Sequence, residues 1–244
     1  MSLPQTFTLT QNAINYTWRQ LAKRAGIIFD KNSKTGFDAL GIPVFYGDPE
    51  KIHTPRPSLI IRRSTDTSWA KILKAQPNSL VWLPLEKTTP ANVNLSLNGD
   101  IPVLFWGKGY EHGNQAFAFR RKDESIIFNA DILAATFFML SRWEEYIIPE
   151  RDEHDRFQAA SSVAYQQKFL DRPLVDEYAM ILRAWLKKLK PRWQPKKRVF
   201  GDYNLIVLVE TDTPNDIIQS LQAKSEGLFL KNQDLQISEQ LLAK

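Results

Sequence analysis

The sequence predicts an α/β fold: a mixed or mostly parallel sheet flanked by helices, with two long helices in the C-terminal half. Three observations lead there. Short apolar runs bounded by glycine, aspartate or serine alternate with helix-like stretches, the order of an α/β domain. Residues 131–146 and 174–189 are two longer stretches with helical character. Residues 205–210 (Leu-Ile-Val-Leu-Val-Glu) form a continuous apolar run, as in a strand buried on both faces of a parallel sheet.

The elements follow in order. Ile14, Trp18, Leu21 and Ala25 recur at helical spacing, and Gly26 ends that helix. Residues 41–47 and 58–62 read as strands, 68–75 as a short helix carrying Trp69, Ile72 and Leu73 on one side, and 80–83 and 101–106 as further strands. Residues 117–120 and 125–128 read as a hairpin across 121–124. Asn129 is the expected N-cap of the helix that follows. That helix is apolar nearly all round from Ile132 to Leu140, so it is expected to be buried, and Pro149 stops it. Residues 151–167 read as a charged connection. Asp171 or Pro173 starts the next helix, whose stripe is Leu174, Tyr178, Ile181, Leu182, Trp185 and Leu189, and Pro191 follows its end.

Composition narrows the function. The chain has 244 residues, 32 Lys plus Arg against 27 Asp plus Glu, and no cysteine. A domain of this size buries roughly 70–75% of its unfolded surface and needs no disulfide or metal to fold. Without cysteine, thiol catalysis, thiolate zinc sites and iron–sulfur clusters are excluded. His53, His112 and His154 are the only histidines and form no local metal motif. A Walker loop, GxGxxG, HExxH and GxSxG are absent. No secretory signal or membrane-spanning stretch is legible, so the expected location is cytoplasmic.

Four stretches carry residue types with chemical capacity. Glu210 and Asp212 stand at the carboxyl end of the run at 205–210, where α/β sheets and barrels place ligands. One residue apart, they share a strand face and suit cation binding or acid–base work. The plainer reading makes Asp212 a turn cap ahead of Pro214. In 141–146 (Ser-Arg-Trp-Glu-Glu-Tyr), Glu144 and Glu145 point about 100° apart on a helix, so only one faces a buried partner. Arg142 is placed to pair with Glu145 or Tyr146. Beside Trp143 and Tyr146 these acids suit sugar hydroxyls or a metal, against an ordinary solvated helix end. In 151–156, Asp152, His154 and Asp155 are metal-ligand types, against a plain exposed loop. Finally, residues 183–198 carry Arg183, Lys187, Lys188, Lys190, Arg192, Lys196, Lys197 and Arg198, interleaved with Trp185 and Trp193, and no acid. Without these eight the chain would be net acidic, so its basicity is local. Such a pattern suits phosphate backbones, although lysines also complement a helix C-terminus.

Residues 128–146 (Phe-Asn-Ala-Asp-Ile-Leu-Ala-Ala-Thr-Phe-Phe-Met-Leu-Ser-Arg-Trp-Glu-Glu-Tyr) resemble the central helix of an N-terminal accessory domain found on bacterial polysaccharide deacetylase-family proteins. Residues 155–157 (Asp-Arg-Phe), 162–165 (Ser-Val-Ala-Tyr) and 169–177 (Phe-Leu-Asp-Arg-Pro-Leu-Val-Asp-Glu) resemble it in the same order. The middle third of the chain is covered well and the first 120 residues loosely.

The resemblance implies an accessory domain ahead of a metal-dependent deacetylase domain, a distorted (β/α) barrel acting on N-acetylated sugars. Arg142, Glu144, Glu145, Asp155, Arg156 and Asp176 are then the binding or docking residues. Residues 207–214 stand where that barrel's first strand ends in a motif like Thr-His-Asp-Val-Asp-x-Pro. Asp212 matches the metal-ligating aspartate, and Glu210 stands where the catalytic base, an aspartate, is expected. The family's His-x-x-x-His has no counterpart, since no histidine follows His154. The expectation is therefore an accessory domain over 1–200, with a first strand and remnant of a deacetylase-like domain over 201–244, either truncated or a stand-alone relative. It is expected to be non-catalytic and without a cofactor; a zinc-type divalent metal would require the complete site. Its expected partners are a deacetylase domain or a glycan, in glycan or cell-surface carbohydrate metabolism, rather than nucleic acid. Two readings compete: a hydrolase using Glu144, Glu145, Asp155 or His154, and a nucleic-acid-binding protein using 183–198.

Overall fold

The computed structural model describes residues 5–27, 38–39, 41–54, 56–93, 95–97, 99–110 and 115–196. The chain divides into two compact units, Met1–Arg198 and Val199–Lys244. The strand expected at 205–210, with Glu210 and Asp212, and the basic residues Lys197 and Arg198 lie outside the described residues.

In chain order the elements are α1 (Gln11–Ala25), β1 (Asp38–Ala39), β2 (Ile42–Gly47), β3 (Leu59–Arg62), α2 (Ser68–Leu73), β4 (Val81–Leu83), α3 (Leu85–Thr88), β5 (Ile101–Val103), β6 (Ala118–Arg120), β7 (Ile126–Phe128), α4 (Ile132–Leu140), α5 (Trp143–Ile147), a 3-10 turn (Ala159–Ser161), α6 (Val163–Gln166) and α7 (Leu174–Leu189). The sheet order is β1-β2-β3-β7-β6. β2, β3 and β7 run parallel at its centre, with β1 and β6 antiparallel at either side. β4 and β5 form a separate antiparallel pair. The α/β fold with a mixed sheet and flanking helices is thus the one the sequence predicts.

β3 and β7 lie inside the sheet, and all their residues are buried. Central parallel strands have both faces covered, which is why their sequences are apolar runs without alternation. The expected hairpin forms with Ala118 opposite Phe128 and Arg120 opposite Ile126. β5 ends at Val103, short of the expected Trp106, which joins Ala130 in a single bridge instead.

α1 opens with the Thr10 hydroxyl accepting from the Ala13 N–H, a turn earlier than the apolar spacing predicts. It closes at Gly26, whose φ of 76° is left-handed. A Cβ there would also come within 2.7 Å of the Lys196 carbonyl oxygen, so glycine is required twice over. α7 has the predicted bounds. Its stripe Leu174, Tyr178, Ile181, Leu182 and Trp185 is buried, each side chain contributing about 1.5–3 kcal/mol. The Tyr178 hydroxyl donates to the Pro102 carbonyl at 2.6 Å, and the Trp185 indole N–H donates to the Thr88 carbonyl at 2.8 Å. Two polar tips thus anchor α7 to the β5 and α3 segments.

Two expectations are corrected around α4. The helical stretch at 131–146 is present but divided. Ser141 ends α4, its hydroxyl donating to the Phe137 carbonyl at 2.6 Å, and Arg142 takes a left-handed conformation (φ 52°) before α5. The break swings Trp143 into an aromatic cluster, with its ring 5.0 Å from Trp69 and 6.0 Å from Phe138. The N-cap is Asp131 rather than Asn129: the Asp131 carboxylate accepts from the Ala134 N–H at 2.9 Å. Asn129 is buried and donates to the Ala116 carbonyl instead. The connection at 151–167 also carries more structure than its charge suggests, holding the 3-10 turn and α6.

Candidate functional site

Open α/β sheets collect functional groups at the carboxyl ends of their parallel strands. Here the ends of β2, β3 and β7 bring Tyr46, Ser64 and Asp131 together. Asp131 is fully buried. Its Oδ2 accepts from the Tyr46 hydroxyl at 2.9 Å and from the Ser64 N–H at 2.7 Å, while Oδ1 accepts the α4 cap. Burial pushes its carboxyl above the usual range, and the three donors oppose that shift. Burial, followed by the neighbouring Asp131 charge, also raises the Tyr46 phenol. A carboxylate surrounded by donors at a helix N-terminus is satisfied by hydrogen bonds.

Next to it, Arg62 leaves the end of β3 almost wholly buried. Its two terminal nitrogens donate to Glu50 at 3.0 and 2.9 Å, and the guanidinium lies 4.2 Å from the centre of the Tyr110 ring. The side chain passes over Gly107, where a Cβ would come within 2.3 Å of the Arg62 Cγ. Arg121 donates to the Pro49 carbonyl at 3.1 Å and steadies the turn that presents Glu50. The Arg62 hydrogen bonds draw the Glu50 carboxyl down to about 2. Sequence reading missed this cluster because Glu50, Arg62 and Tyr110 share no motif. Asp131 had a signal, since Asn129 and Asp131 compete as caps two residues apart.

The acids singled out from sequence have separate tasks. Glu144 accepts from the Val163 N–H at 2.8 Å, supporting the start of α6, and burial raises its carboxyl. Glu145 pairs with Arg142 at 2.5 Å. Tyr146 is 86% exposed and lies outside that pair. In the 151–156 loop the organising group is Asp152. It accepts from the N–H groups of His154 and Arg156, both at 2.9 Å, and from the Arg156 guanidinium at 3.0 Å. Asp155 is exposed with a left-handed φ of 58°, and His154 lies 3.4 Å from Glu153. Asp176 lies 3.7 Å from Arg24. The motif's buried ion pair uses the next residue, Glu177, which accepts from Arg172 at 3.1 and 3.0 Å. Among the described residues no three His, Asp or Glu side chains gather as metal ligands, so Glu144, Glu145, His154 and Asp155 are not brought into one centre.

The basic segment separates into two parts. Arg183 donates to the carbonyls of Ala25 and Arg24, both at 2.8 Å, and caps the C-terminus of α1. Trp185 is in the core. Lys187, Lys188, Lys190, Arg192 and Lys196 are exposed, and Trp193 is half-buried against the core.

Fold and site together define an α/β module whose motif residues mostly bond to one another. The chain belongs to a family of unknown function, DUF7033, whose match spans residues 5–191. No curated protein and no solved structure matches it. Among the described residues, no helix is long and apolar enough to cross a membrane.

Proposed function

We propose that this chain is a non-catalytic accessory module of a polysaccharide deacetylase-like protein, working in glycan or cell-surface carbohydrate metabolism. The ordered motifs at 128–146, 155–157, 162–165 and 169–177 motivate the reading. The observation that carries it is how those motifs are used. Asp131 caps α4, Trp143 fills the aromatic cluster, Glu144 supports α6, and Arg172 pairs with the buried Glu177. These side chains hold the module's own helices and connections together, as a docking module requires. The partner is a deacetylase domain or a glycan, and the module works in the cytoplasm.

The test is deacetylation of N-acetylated chito-oligosaccharides by the full chain with zinc or cobalt added. The reading expects no turnover above the metal-only blank. Robust turnover that Asp212→Ala abolishes would overturn it.

A further inference from the structure

Residues 178–196 carry six cationic side chains and no acidic one. Arg183 is absorbed into the α1 cap, which leaves Lys187, Lys188, Lys190, Arg192 and Lys196 exposed. Two of them, Lys190 and Arg192, line an open concavity of about 610 Å³ together with Pro191 and Trp193. The turn is fixed on both sides. The Trp193 N–H donates to the Lys190 carbonyl at 3.0 Å, and the Lys196 N–H donates to the Gly26 carbonyl at 2.9 Å. The last turn of α1 adds the exposed Lys23 beside Gly26.

We propose that this face binds an acidic polysaccharide, a polyuronate chain with carboxylates along its length. The proposal rests on the glycan-directed reading above and adds a site and a charge class to it. Lysines are compact, strongly hydrated charges that meet spaced carboxylates without a fixed fork geometry. Pro191 and Trp193 give the concavity an apolar wall for the face of a sugar ring. Single-stranded nucleic acid calls for successive aromatic platforms along a basic groove. Burial of Trp185, whose N–H is spent on Thr88, leaves Trp193 as the one tryptophan of this segment at the surface. The interleaved pattern legible in the sequence is therefore broken in space, and the site favours acidic sugars over bases.

The experiment is fluorescence anisotropy of labelled oligogalacturonate titrated with the full chain. Binding is expected to weaken about tenfold or more between 50 and 200 mM NaCl, and by about as much in the double variant Lys187→Glu/Lys188→Glu. Both side chains are exposed, and circular dichroism checks that the variant stays folded. Three results overturn the proposal: oligogalacturonate bound no better than uncharged dextran, charge reversal without effect, or DNA of equal charge bound more tightly. The outcome separates from that of the preceding assay. Deacetylase turnover with salt-sensitive oligogalacturonate binding leaves this site standing and removes the non-catalytic reading; no turnover and no binding does the reverse.

Discussion

Asp131 accepts hydrogen bonds from three separate segments with one carboxylate. Replacing it with alanine removes an N-cap worth about 1 kcal/mol and strands the Ser64 N–H and Tyr46 hydroxyl at about 1–3 kcal/mol each. Urea unfolding of Asp131→Ala should therefore show a loss of about 3 kcal/mol or more, and Tyr46→Phe a smaller one of about 1 kcal/mol. A loss for Asp131→Ala no larger than for Tyr46→Phe would count against the three-way role. The two kinds of carboxylate also respond oppositely to pH. Asp131 is raised above its unfolded value, so its ionisation opposes folding as pH climbs through the folded value. Glu50 is drawn from 4.5 to about 2, so its stabilisation is complete above pH 4.5 and fades as pH falls toward 2. Glu50→Gln should flatten the loss of stability between pH 4.5 and 2. Because the Glu50 side chain is 64% exposed, the effect stays below about 1 kcal/mol. Unfolding midpoints measured across that range, equal in slope for both proteins, would contradict it.

At the scale of elements, the division of the 131–146 stretch shows how packing overrides periodicity. No glycine or proline interrupts the stretch, yet Arg142 adopts the left-handed conformation so that Trp143 can reach Trp69. That conformation costs a non-glycine residue about 1–2 kcal/mol. Arg142→Gly should relieve it while giving up an exposed ion pair with Glu145, leaving thermal stability unchanged or slightly higher. Arg142→Val should destabilise by about 1 kcal/mol or more, because a β-branched side chain resists positive φ. Equal melting temperatures for the two variants would mean the break is not enforced at this position. Gly107→Ala is a sharper case: its Cβ would meet the buried stem of Arg62, and a melting temperature near that of the parent would contradict the packing described.

For the whole molecule, the contact between α1 and α7 joins the beginning and end of the described fold. Arg183 makes the polar part of that contact by closing the carbonyl end of α1. Arg183→Met keeps the stem and removes both bonds, and should cost about 2 kcal/mol in chemical denaturation. Met1–Arg198 is compact in its own right and contains the whole of the 5–191 family match. A fragment ending at Arg198 should therefore unfold in one cooperative transition. Broad, non-cooperative melting would show that it depends on the residues that follow.

By itself the sequence determined the fold class, the bounds of α7, the buried character of α4, the C-cap at Gly26 and the hairpin of β6 and β7. Each of these is written in local terms: an apolar period, a glycine where φ must be positive, or two apolar runs around a polar turn. Tertiary structure decided which of two neighbouring residues does a job. It chose Asp131 over Asn129, Asp152 over Asp155, and Glu177 over Asp176. It also withdrew Trp185 and Arg183 from the basic surface and joined Arg62 to Glu50 and Tyr110. Adjacent polar residues have nearly equal local preferences. The choice between them falls to whichever donor or cation arrives from a distant segment, and no short window of sequence contains that partner.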